Sequence, residues 1–372
     1  FAGERKLAAL GVEPPARNAA IIQADAVNGL DLPRHCEVLI PPAVCHEVGA
    51  DALAMMIISG MLERKETSIV TDFGTNAEVA LFHQGTVFSG STAAGPALEG
   101  QQISCGRLAG PWVIADLEPE GHWHRLILLD AELLPVQGEL IDLGRKGVIE
   151  AAATPPPIGI TGTGTLAIVD QALQAGLIVL PLITTEDGRL HLGEKLFFNQ
   201  EDLAEAGKAI GAVRAGHLTL CHEAGISPED IRTCYMSGAS GTYVDAIKAQ
   251  RLGMIPPGVR AVYQVGNTSL AMARRLVTEP GSLDAMVELA ASLRTRHCMF
   301  AVSKVFQKLF LLELSYWTEG MPMSHYRRFL KKFGLTDLPP IQKIPEIIHL
   351  VSRDIEDLGK MGLTTITDIR RR

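Results

Sequence analysis

The chain has 372 residues, a formal net charge of -8 and an apolar fraction of 47%. A negative net charge argues against a nucleic-acid partner, because phosphate backbones are bound by clustered Lys and Arg. No apolar run approaches the roughly 18 residues of a membrane-spanning helix, and the first residues carry charges where a signal peptide would be apolar. We therefore expect a cytoplasmic protein with no nucleic-acid or membrane partner.

The cysteine and histidine positions give little support for a metal centre. The six cysteines show no C-x-x-C spacing, so we predict buried thiols in place of disulfides or an iron–sulfur motif. His35, Cys36 and residues 45–47 flank one short segment, and His122 and His124 form an H-x-H pair. Zinc sites usually combine closely spaced Cys or His pairs. Because these residues adjoin apolar strand residues, we predict no metal site built by them.

The first part of the chain leads into a group of strands. Residues 36–40 are a short apolar strand, and a helix is predicted from about 49 to 63. We expect residues 1–66 to be the remnant of, or the connection from, a preceding lobe. The stretch 68–90 indicates three strands joined by two turns, because apolar and polar residues alternate as in a half-buried strand. The turn at 84–85 closes the second hairpin.

The turn between the first two of these strands is the first candidate site. Asp72 ends a strand and is followed by Phe73, Gly74, Thr75 and Asn76. A phosphate could approach the backbone N–H groups of residues 74–76, because Gly74 has no side chain in the way. Asp72 could hold a hydrated metal ion. An ordinary hairpin, in which the Asp and Asn only satisfy the turn, explains the same residues.

A stretch of small residues at 91–100 follows the third strand. So many small side chains indicate a close approach of the backbone to another segment or to a ligand. We predict that this stretch lies at a domain cleft or at a partner surface. Its candidate partner-binding residues are Ser91, Thr92, Gly95 and Glu99.

A second glycine cluster lies beyond an inserted segment. Alternation at 124–129 and 139–143 predicts an antiparallel insertion over about 107–155. The glycines at 159–164 then open a helix at 166–175, and the N-terminus of such a helix is suited to an anion. The cluster lacks the Lys of a P-loop and does not match G-x-G-x-x-G. Its candidate residues are Thr161, Gly162, Thr163 and Gly164.

Two strand, glycine turn, helix units follow a long capped helix at 199–224. The first unit places Ser237, Gly238, Ala239, Ser240 and Gly241 after the buried strand 231–236, and the second places a Gly-Asn turn after 259–265. Such units predict an α/β sheet with ligands at the strand ends. The rest of the chain is predicted to be mostly helical, including a final helix at 346–359.

Three motifs together resemble a known family: TDFGTNAEVAL at 71–81, GSTAAGPALEGQQISCG at 90–106 and GITGTG at 159–164. The order of the glycine turns resembles the nucleotide-binding half of the actin, sugar-kinase and heat-shock ATPase (ASKHA) superfamily. The motifs are similar, more closely, to the C-terminal part of the ATP-dependent reductive activators of corrinoid proteins. The resemblance covers about residues 35–320, and the tail at 321–369 is similar to the methylamine-type branch.

The resemblance implies a fold, a reaction and a partner. The expected fold is α/β, a ribonuclease H-like and actin-like ATPase lobe at 67–320 with an inserted β region, followed by a helical extension at 321–372. The expected cofactors are ATP and Mg, with an iron–sulfur cluster in the full-length protein but outside this chain. The expected reaction returns the cob(II)alamin of a corrinoid methyltransferase protein to cob(I)alamin. That corrinoid protein is the expected partner, and a homodimer is left open.

The resemblance also implies roles for individual residues. Asp72 would be the catalytic carboxylate, and residues 74–76 would be the second phosphate motif. The loop at 161–164 would support the phosphate end of the site. The residues implied to line the adenosine are Ser237, Gly238, Ala239 and Gly241.

The sequence departs from the family pattern in two ways, and these keep alternatives open. No second D-x-G-T element lies upstream of residue 71, and Ser-Gly-Ala at 237–239 stands where the family usually has a Gly-Gly pair. A small-molecule kinase of the same superfamily is one alternative, which would need an Asp base facing the cleft. The other is a non-enzymatic module that binds a corrinoid protein without ATP turnover.

Overall fold

The computed structural model describes residues 17–26, 33, 35–45, 48–74, 76–93, 97, 100–294, 297–335, 337–338, 341 and 344–350, with the backbone alone described at 239 and 242. Among the predicted site residues, Thr75, Gly95 and Glu99 therefore lie outside the described part of the chain. The second half of the predicted final helix also lies outside it.

The described residues form 17 strands, nine α-helices and four 3₁₀ turns. The strands are β1 Ala20–Gln23, β2 Glu37–Ile40, β3 Ser68–Phe73, β4 Ala77–His83, β5 Thr86–Thr92, β6 Val113–Glu120, β7 Trp123–Leu129, β8 Pro135–Ile141, β9 Val148–Glu150, β10 Gly159–Ile160, β11 Ile178–Val179, β12 Leu182–Ile183, β13 Leu190–His191, β14 Phe197–Phe198, β15 Thr233–Ser237, β16 Ala261–Gly266 and β17 Glu346–His349. The helices are α1 Ala50–Ile58, α2 Gly162–Gln174, α3 Gln200–Ala224, α4 Gly238–Tyr243, α5 Ala246–Arg251, α6 Thr268–Thr278, α7 Ser282–Leu293, α8 Lys304–Thr318 and α9 Met323–Lys332. Short 3₁₀ turns lie at Ala24–Ala26, Met61–Glu63, Pro228–Asp230 and Phe300–Val302.

The main sheet has six strands in the order β17-β16-β15-β3-β4-β5. β17, β16, β15 and β3 are parallel, whereas β4 and β5 continue from β3 as an antiparallel meander. The three strands predicted at 68–90 are thus confirmed. The predicted turn between the last two is also observed, with Gln84 and Gly85 both at positive φ, at 48° and 77°.

Residues along each strand alternate between two apolar cores, because successive side chains point to opposite faces of a sheet. On β3, Ile69 packs in one core and Val70 in the other. β15 repeats this alternation with Cys234 and Tyr235. The first core contains α2, α3 and the second sheet, and the second contains α1, α6 and α7. Helices therefore cover both faces, which leaves the strand ends for ligands.

A second sheet of five strands forms the predicted insertion. Its order is β10-β6-β7-β8-β9, with β6 to β9 antiparallel and β10 parallel to β6. α2 begins directly after β10 and packs back onto β6. A Cβ on Gly164 would lie 2.5 Å from the backbone oxygen of Ile114, so the glycine permits this close contact between helix and strand.

The long helix α3 was predicted from its capping sequence and is observed over nearly the same residues. The Asn199 side chain accepts hydrogen bonds from the N–H groups of Glu201 and Asp202, and the helix ends at Gly225 in the left-handed conformation. Both features satisfy backbone groups that a helix end leaves without partners. Glycines at 207 and 211 let α8 approach closely, since a Cβ at either would lie 2.8 Å from an α8 side-chain carbon.

Three predicted helices differ from the structure. Residues 346–349 form β17, which pairs in parallel with β16, so the predicted helix is wrong there. The pairing satisfies the backbone of Ile347 and Ile348, β-branched residues that favour a sheet edge. The helix predicted to reach residue 63 ends at Ile58, because Gly60 adopts a φ of 68°. The helix of the first strand, glycine turn, helix unit is two short helices, α4 and α5, with Asp245 capping the second.

Candidate functional site

The candidate site lies where parallel strands of the main sheet end side by side. In the register of β3 and β15, Asp72 is opposite Ser237. Ser237 is in turn opposite Gly266, the last residue of β16, after a register shift between Met236 and Ser237. Because parallel strands end at one edge of a sheet, residues far apart in sequence meet here.

A chain of hydroxyl groups connects the three strand ends. Ser237 Oγ donates to Asp72 Oδ2 at 3.0 Å and lies 2.8 Å from Thr268 Oγ1. An ionised carboxylate can only accept, so Ser237 donates to Asp72 and Thr268 donates to Ser237. Both hydroxyl residues are fully buried. The sequence interpretation missed Thr268, whose only signal is a hydroxyl directly after the Gly-Asn turn.

Gly238 packs directly on the Asp72 carboxylate. It has a φ of 89°, and a Cβ at this position would lie 2.3 Å from Asp72 Oδ1. Only glycine allows α4 to begin here without displacing the carboxylate. The resemblance implies adenosine contacts for this turn, and in the structure Gly238 lies against Asp72. A Cβ on Gly241 would be in ordinary contact with the Phe73 ring, at 3.4 Å.

Burial raises the pKa of Asp72 above its usual value, the Ser237 hydrogen bond opposes this, and the Asp51 charge adds to it. Glu78 faces Asp72 across β3 and β4. Burial, together with the charges of Asp51 and Asp72, raises the pKa of Glu78 to about 7. Ser91 Oγ donates to Glu78 at 3.1 Å. This edge of the sheet therefore has a negative potential that a cation bound with a phosphate would offset.

The described residues contain no group of three or more His, Cys, Asp or Glu side chains placed to hold a metal ion. This arrangement still fits magnesium carried by a nucleotide. Mg²⁺ in phosphoryl-transfer sites keeps several waters and uses one or two carboxylates together with the phosphates. Asp72 supplies one such carboxylate at the strand end.

The turn after Asp72 is tighter than its sequence predicts. The Gly74 N–H donates to the Asn76 carbonyl at 3.2 Å, so this N–H is engaged within the turn. The predicted phosphate contact of Gly74 stays a prediction. Asn76 is exposed. Thr75 lies outside the described residues, and its predicted phosphate contact stays a prediction.

The glycine loop at 161–164 caps its own helix. Thr161 Oγ1 accepts from the Gly164 N–H at 3.0 Å, and Thr163 Oγ1 donates to the Ala115 carbonyl at 2.9 Å. These contacts fasten the start of α2 to β6. The loop therefore has a structural role, which is separate from its predicted support of phosphate.

A cavity of about 330 Å³ lies between this loop and α4. Thr161, Gly162 and Thr163 form one side, and Ser240 and Tyr243 of α4 form another. The remaining wall is mostly apolar and consists of Arg107, Leu108, Ala109, Ala115, Leu129 and Leu133. The structure thus brings the second glycine cluster together with the predicted adenosine turn.

Two ion pairs connect α5 to β6 and to α2, which contribute residues to another wall of this cavity. Lys248 pairs with Asp116 of β6, and Arg251 binds Asp170 of α2 through two nitrogens. Asp170 and Lys248 are nearly fully buried. The sequence interpretation missed these four residues, because no local pattern indicates pairing across 81 or 132 positions.

The predicted partner stretch is only partly described. Ser91 faces Glu78, whereas Thr92 is 4% exposed and lies close to Gly216 of α3. Thr92 therefore packs inside the molecule. In the described part of the chain, no helix is both long and apolar enough to cross a membrane.

Comparisons with known proteins identify the fold and the family of this chain. The family model described as the C-terminal domain of RACo, the ASKHA domain, matches residues 66–327. The "[Co(II) methylated amine-specific corrinoid protein] reductase" of Methanosarcina barkeri is 46% identical over 370 residues, which are 99% of this chain and 68% of that protein. The "Corrinoid activation enzyme RamQ" of Eubacterium limosum is 25% identical over 249 residues, 63% of this chain and 40% of that protein.

A solved structure shows the same fold. The protein titled "Reductive activator for corrinoid,iron-sulfur protein" superposes with a TM-score of 0.63 at 20% identity, over 84% of this chain and 49% of that one. The predicted ASKHA, actin-like fold is thereby confirmed. Because the family model covers more than half of the 372 residues of this chain, the chain belongs to the family of C-terminal ASKHA domains represented by RACo.

Proposed function

We propose that this chain is the ATP-binding part of an ATP-dependent reductive activator, which returns the cob(II)alamin of a corrinoid methyltransferase protein to cob(I)alamin. The observation that carries the proposal is the junction of Asp72, Ser237 and Gly238 at the ends of parallel strands. Family membership and the names of two relatives, a corrinoid protein reductase and a corrinoid activation enzyme, support the corrinoid substrate.

In this proposal the nucleotide lies along the carboxyl ends of β3 and β15. Asp72 holds a water of the Mg²⁺ that accompanies the phosphates, and the Ser237 hydroxyl fixes the orientation of that carboxylate. The cavity beside Ser240 and Tyr243 takes the adenine, because its walls are largely apolar and its volume is at the lower end of ligand pockets, about 300–1,000 Å³. Mg²⁺ supplies charge neutralisation for phosphate transfer when bound.

The electron for cobalt comes from outside the described site. Reduction of cob(II)alamin to cob(I)alamin takes one electron, and no closely spaced cysteine motif for an iron–sulfur cluster is visible in the sequence. We assign the electron to an iron–sulfur cluster elsewhere in the full-length protein. This chain would then supply the energy of nucleotide binding and hydrolysis, while Ser91, Gly95 and Glu99 would contact the corrinoid protein.

An absorption assay tests the proposal. Full-length protein is mixed with a corrinoid protein in the cob(II) state and a low-potential reductant, and the cob(I) band is followed with and without ATP and Mg²⁺. We expect cob(I) to accumulate only when ATP is present, and ADP to form during the reaction. Equal cob(I) formation without nucleotide, or none in either case, would contradict the proposed function.

A further inference from the structure

A second cavity, of about 230 Å³, lies at the opposite end of the main sheet. Its wall includes Pro228, which precedes β15, and residues 253 and 255–257, which precede β16. It is therefore near the amino ends of these parallel strands, whereas Asp72 lies at a carboxyl end. The second half of α3 and the start of α9 complete the wall. The lining residues are Arg214, His217, Leu218, Cys221, Pro228, Gln250, Arg251, Gly253, Ile255, Pro256, Pro257, Met323, Arg327, Leu338 and Ile341.

The charged side chains that line this cavity in the described part of the chain all have one sign. Arg214 comes from α3, Arg251 from α5 and Arg327 from α9, and no Asp or Glu occurs among the described residues that line the cavity. Three guanidinium groups from three separate helices thus converge on one space. Guanidinium groups bind carboxylates and phosphates through paired hydrogen bonds.

The carboxylates that neutralise two of these arginines lie behind them. Arg214 Nε donates to Glu313 at 3.0 Å, and Glu313 is fully buried. Arg251 uses Nε and Nη2 on Asp170, so its Nη1 takes part in neither bond. Because Glu313 and Asp170 are outside the lining, they hold the guanidinium groups in fixed orientations without occupying the cavity.

The third arginine lies at the rim of the cavity. The Arg327 side chain is 44% exposed, and its Nε is 3.8 Å from Asp337 Oδ1, which is longer than a hydrogen bond. Arg327 can therefore turn toward a ligand without breaking a buried pair. Further along the same helix, the last turn of α9 carries Lys331 and Lys332.

Apart from His217 and Gln250, the rest of the wall is apolar. Leu218, Ile255 and Met323 belong to it, with Leu338 and Ile341 from the segment after α9. A ligand that satisfies both parts of the wall carries negative charge at one end and a compact hydrocarbon or aromatic group at the other.

We propose that this cavity binds a small organic anion, a carboxylate or phosphate group on a compact apolar body. The anionic group contacts Arg251 and Arg327, and the body packs on Ile255 and Met323. The site is separate from the strand ends that carry Asp72. It does not depend on the nucleotide-binding proposal.

Ligand-observed NMR and calorimetry with simple probes test this site. Benzoate and phenyl phosphate carry the two anionic groups on one apolar body, benzylamine carries the opposite charge, and inorganic phosphate lacks the body. We expect benzoate or phenyl phosphate to bind with a Kd of about 1 mM or below. Benzylamine and inorganic phosphate should bind at least about tenfold more weakly, since each lacks one of the two features.

Arg327→Glu and Arg328→Glu form a matched pair for the same titrations. Both residues are exposed on α9, but Arg328 is not part of the lining. We expect Arg327→Glu to weaken binding of the preferred probe by at least about tenfold, and Arg328→Glu to change it by less than about twofold. Neither change breaks a buried ion pair, so both variants should fold.

Several results would contradict the proposal of an anion-binding site. These are no binding of either aromatic anion at about 10 mM, binding of benzylamine as tight as that of benzoate, or equal losses in the two α9 variants. A final titration is made in the presence of ATP and Mg²⁺. An unchanged probe affinity supports a separate site, whereas displacement of the probe by ATP would contradict it.

Discussion

Ser237 donates a hydrogen bond of 3.0 Å to the carboxylate of Asp72, although 165 positions separate the two residues in the chain. The parallel pairing of β3 with β15 makes this contact, because it aligns Asp72, the next-to-last residue of β3, with Ser237, the last residue of β15. The hydroxyl fixes the orientation of the half-buried carboxylate. Ser237 is therefore a positioning residue in the proposed site, in addition to its predicted place beside the adenosine.

Replacing Ser237 with Ala removes the donor that lowers the pKa of Asp72. We expect that pKa to rise further, since burial and the Asp51 charge then act without opposition. The acid limb of the ATP-hydrolysis rate should move to higher pH, which a pH–rate profile measures. Thr268→Val, which leaves the Ser237 donor in place, should shift the profile less. An equal shift in both variants would argue against a direct role for Ser237.

Gly238→Ala should be more destabilising than Gly281→Ala. The two glycines have similar φ values, 89° and 83°, so both variants incur the same left-handed strain of about 1 kcal/mol. At Gly281 nothing lies within 4 Å of a Cβ, whereas at Gly238 the Cβ would meet Asp72 Oδ1. Urea unfolding should show an additional loss of about 1–2 kcal/mol at Gly238. Equal losses of stability in the two variants would mean that the Asp72 side chain moves away from the added Cβ at no cost.

Glu78→Gln should change how stability depends on pH. The pKa of Glu78 is raised from 4.5 to about 7 in the folded state, so its favourable contribution is complete below about pH 4.5 and is lost as the pH rises through 7. At pH 8 the Gln variant should therefore be more stable than the wild type, by about 2 kcal/mol. The exposed Glu229→Gln serves as the control. Curves for Glu78→Gln and wild type that stay parallel from pH 4 to 8 would contradict the shift.

Lys248→Met should destabilise the protein by about 3 kcal/mol, because it leaves Asp116 buried without its cation. The double variant with Asp116→Asn should recover part of this loss, since the uncompensated charge is removed. A double-mutant cycle from denaturant unfolding measures the coupling. Additive losses would show that the two side chains do not stabilise each other.

Much of the main sheet follows from sequence patterns. The alternation in β3 to β5 and the capping sequence of α3 are local signals, and each predicts its element almost to the residue. The β17 strand was missed because its four residues become a strand only by pairing with β16. An edge strand that forms by pairing with a distant part of the chain leaves no local pattern in the sequence.

The residues of the candidate site were likewise predicted only in part. Asp72 and Gly238 were predicted, since a strand-end carboxylate and a glycine turn are visible in the sequence. Thr268, Glu78 and Lys248 were not predicted, because their roles depend on which strands and helices become neighbours. The charge and hydrogen-bond partners of a buried polar group come from tertiary contacts, and these are what set its pKa.

The most direct test of the central claim is ATP hydrolysis by Asp72→Asn in the full-length protein. Asn keeps the size and the hydrogen bonding of the side chain but removes the charge that holds hydrated Mg²⁺. We expect a modest loss of ATP affinity and a fall in hydrolysis and cobalt reduction of roughly two orders of magnitude or more. Wild-type rates of both reactions in this variant would show that Asp72 does not act on the phosphates or their Mg²⁺. The residue would then only make the hydrogen bonds of its hairpin turn.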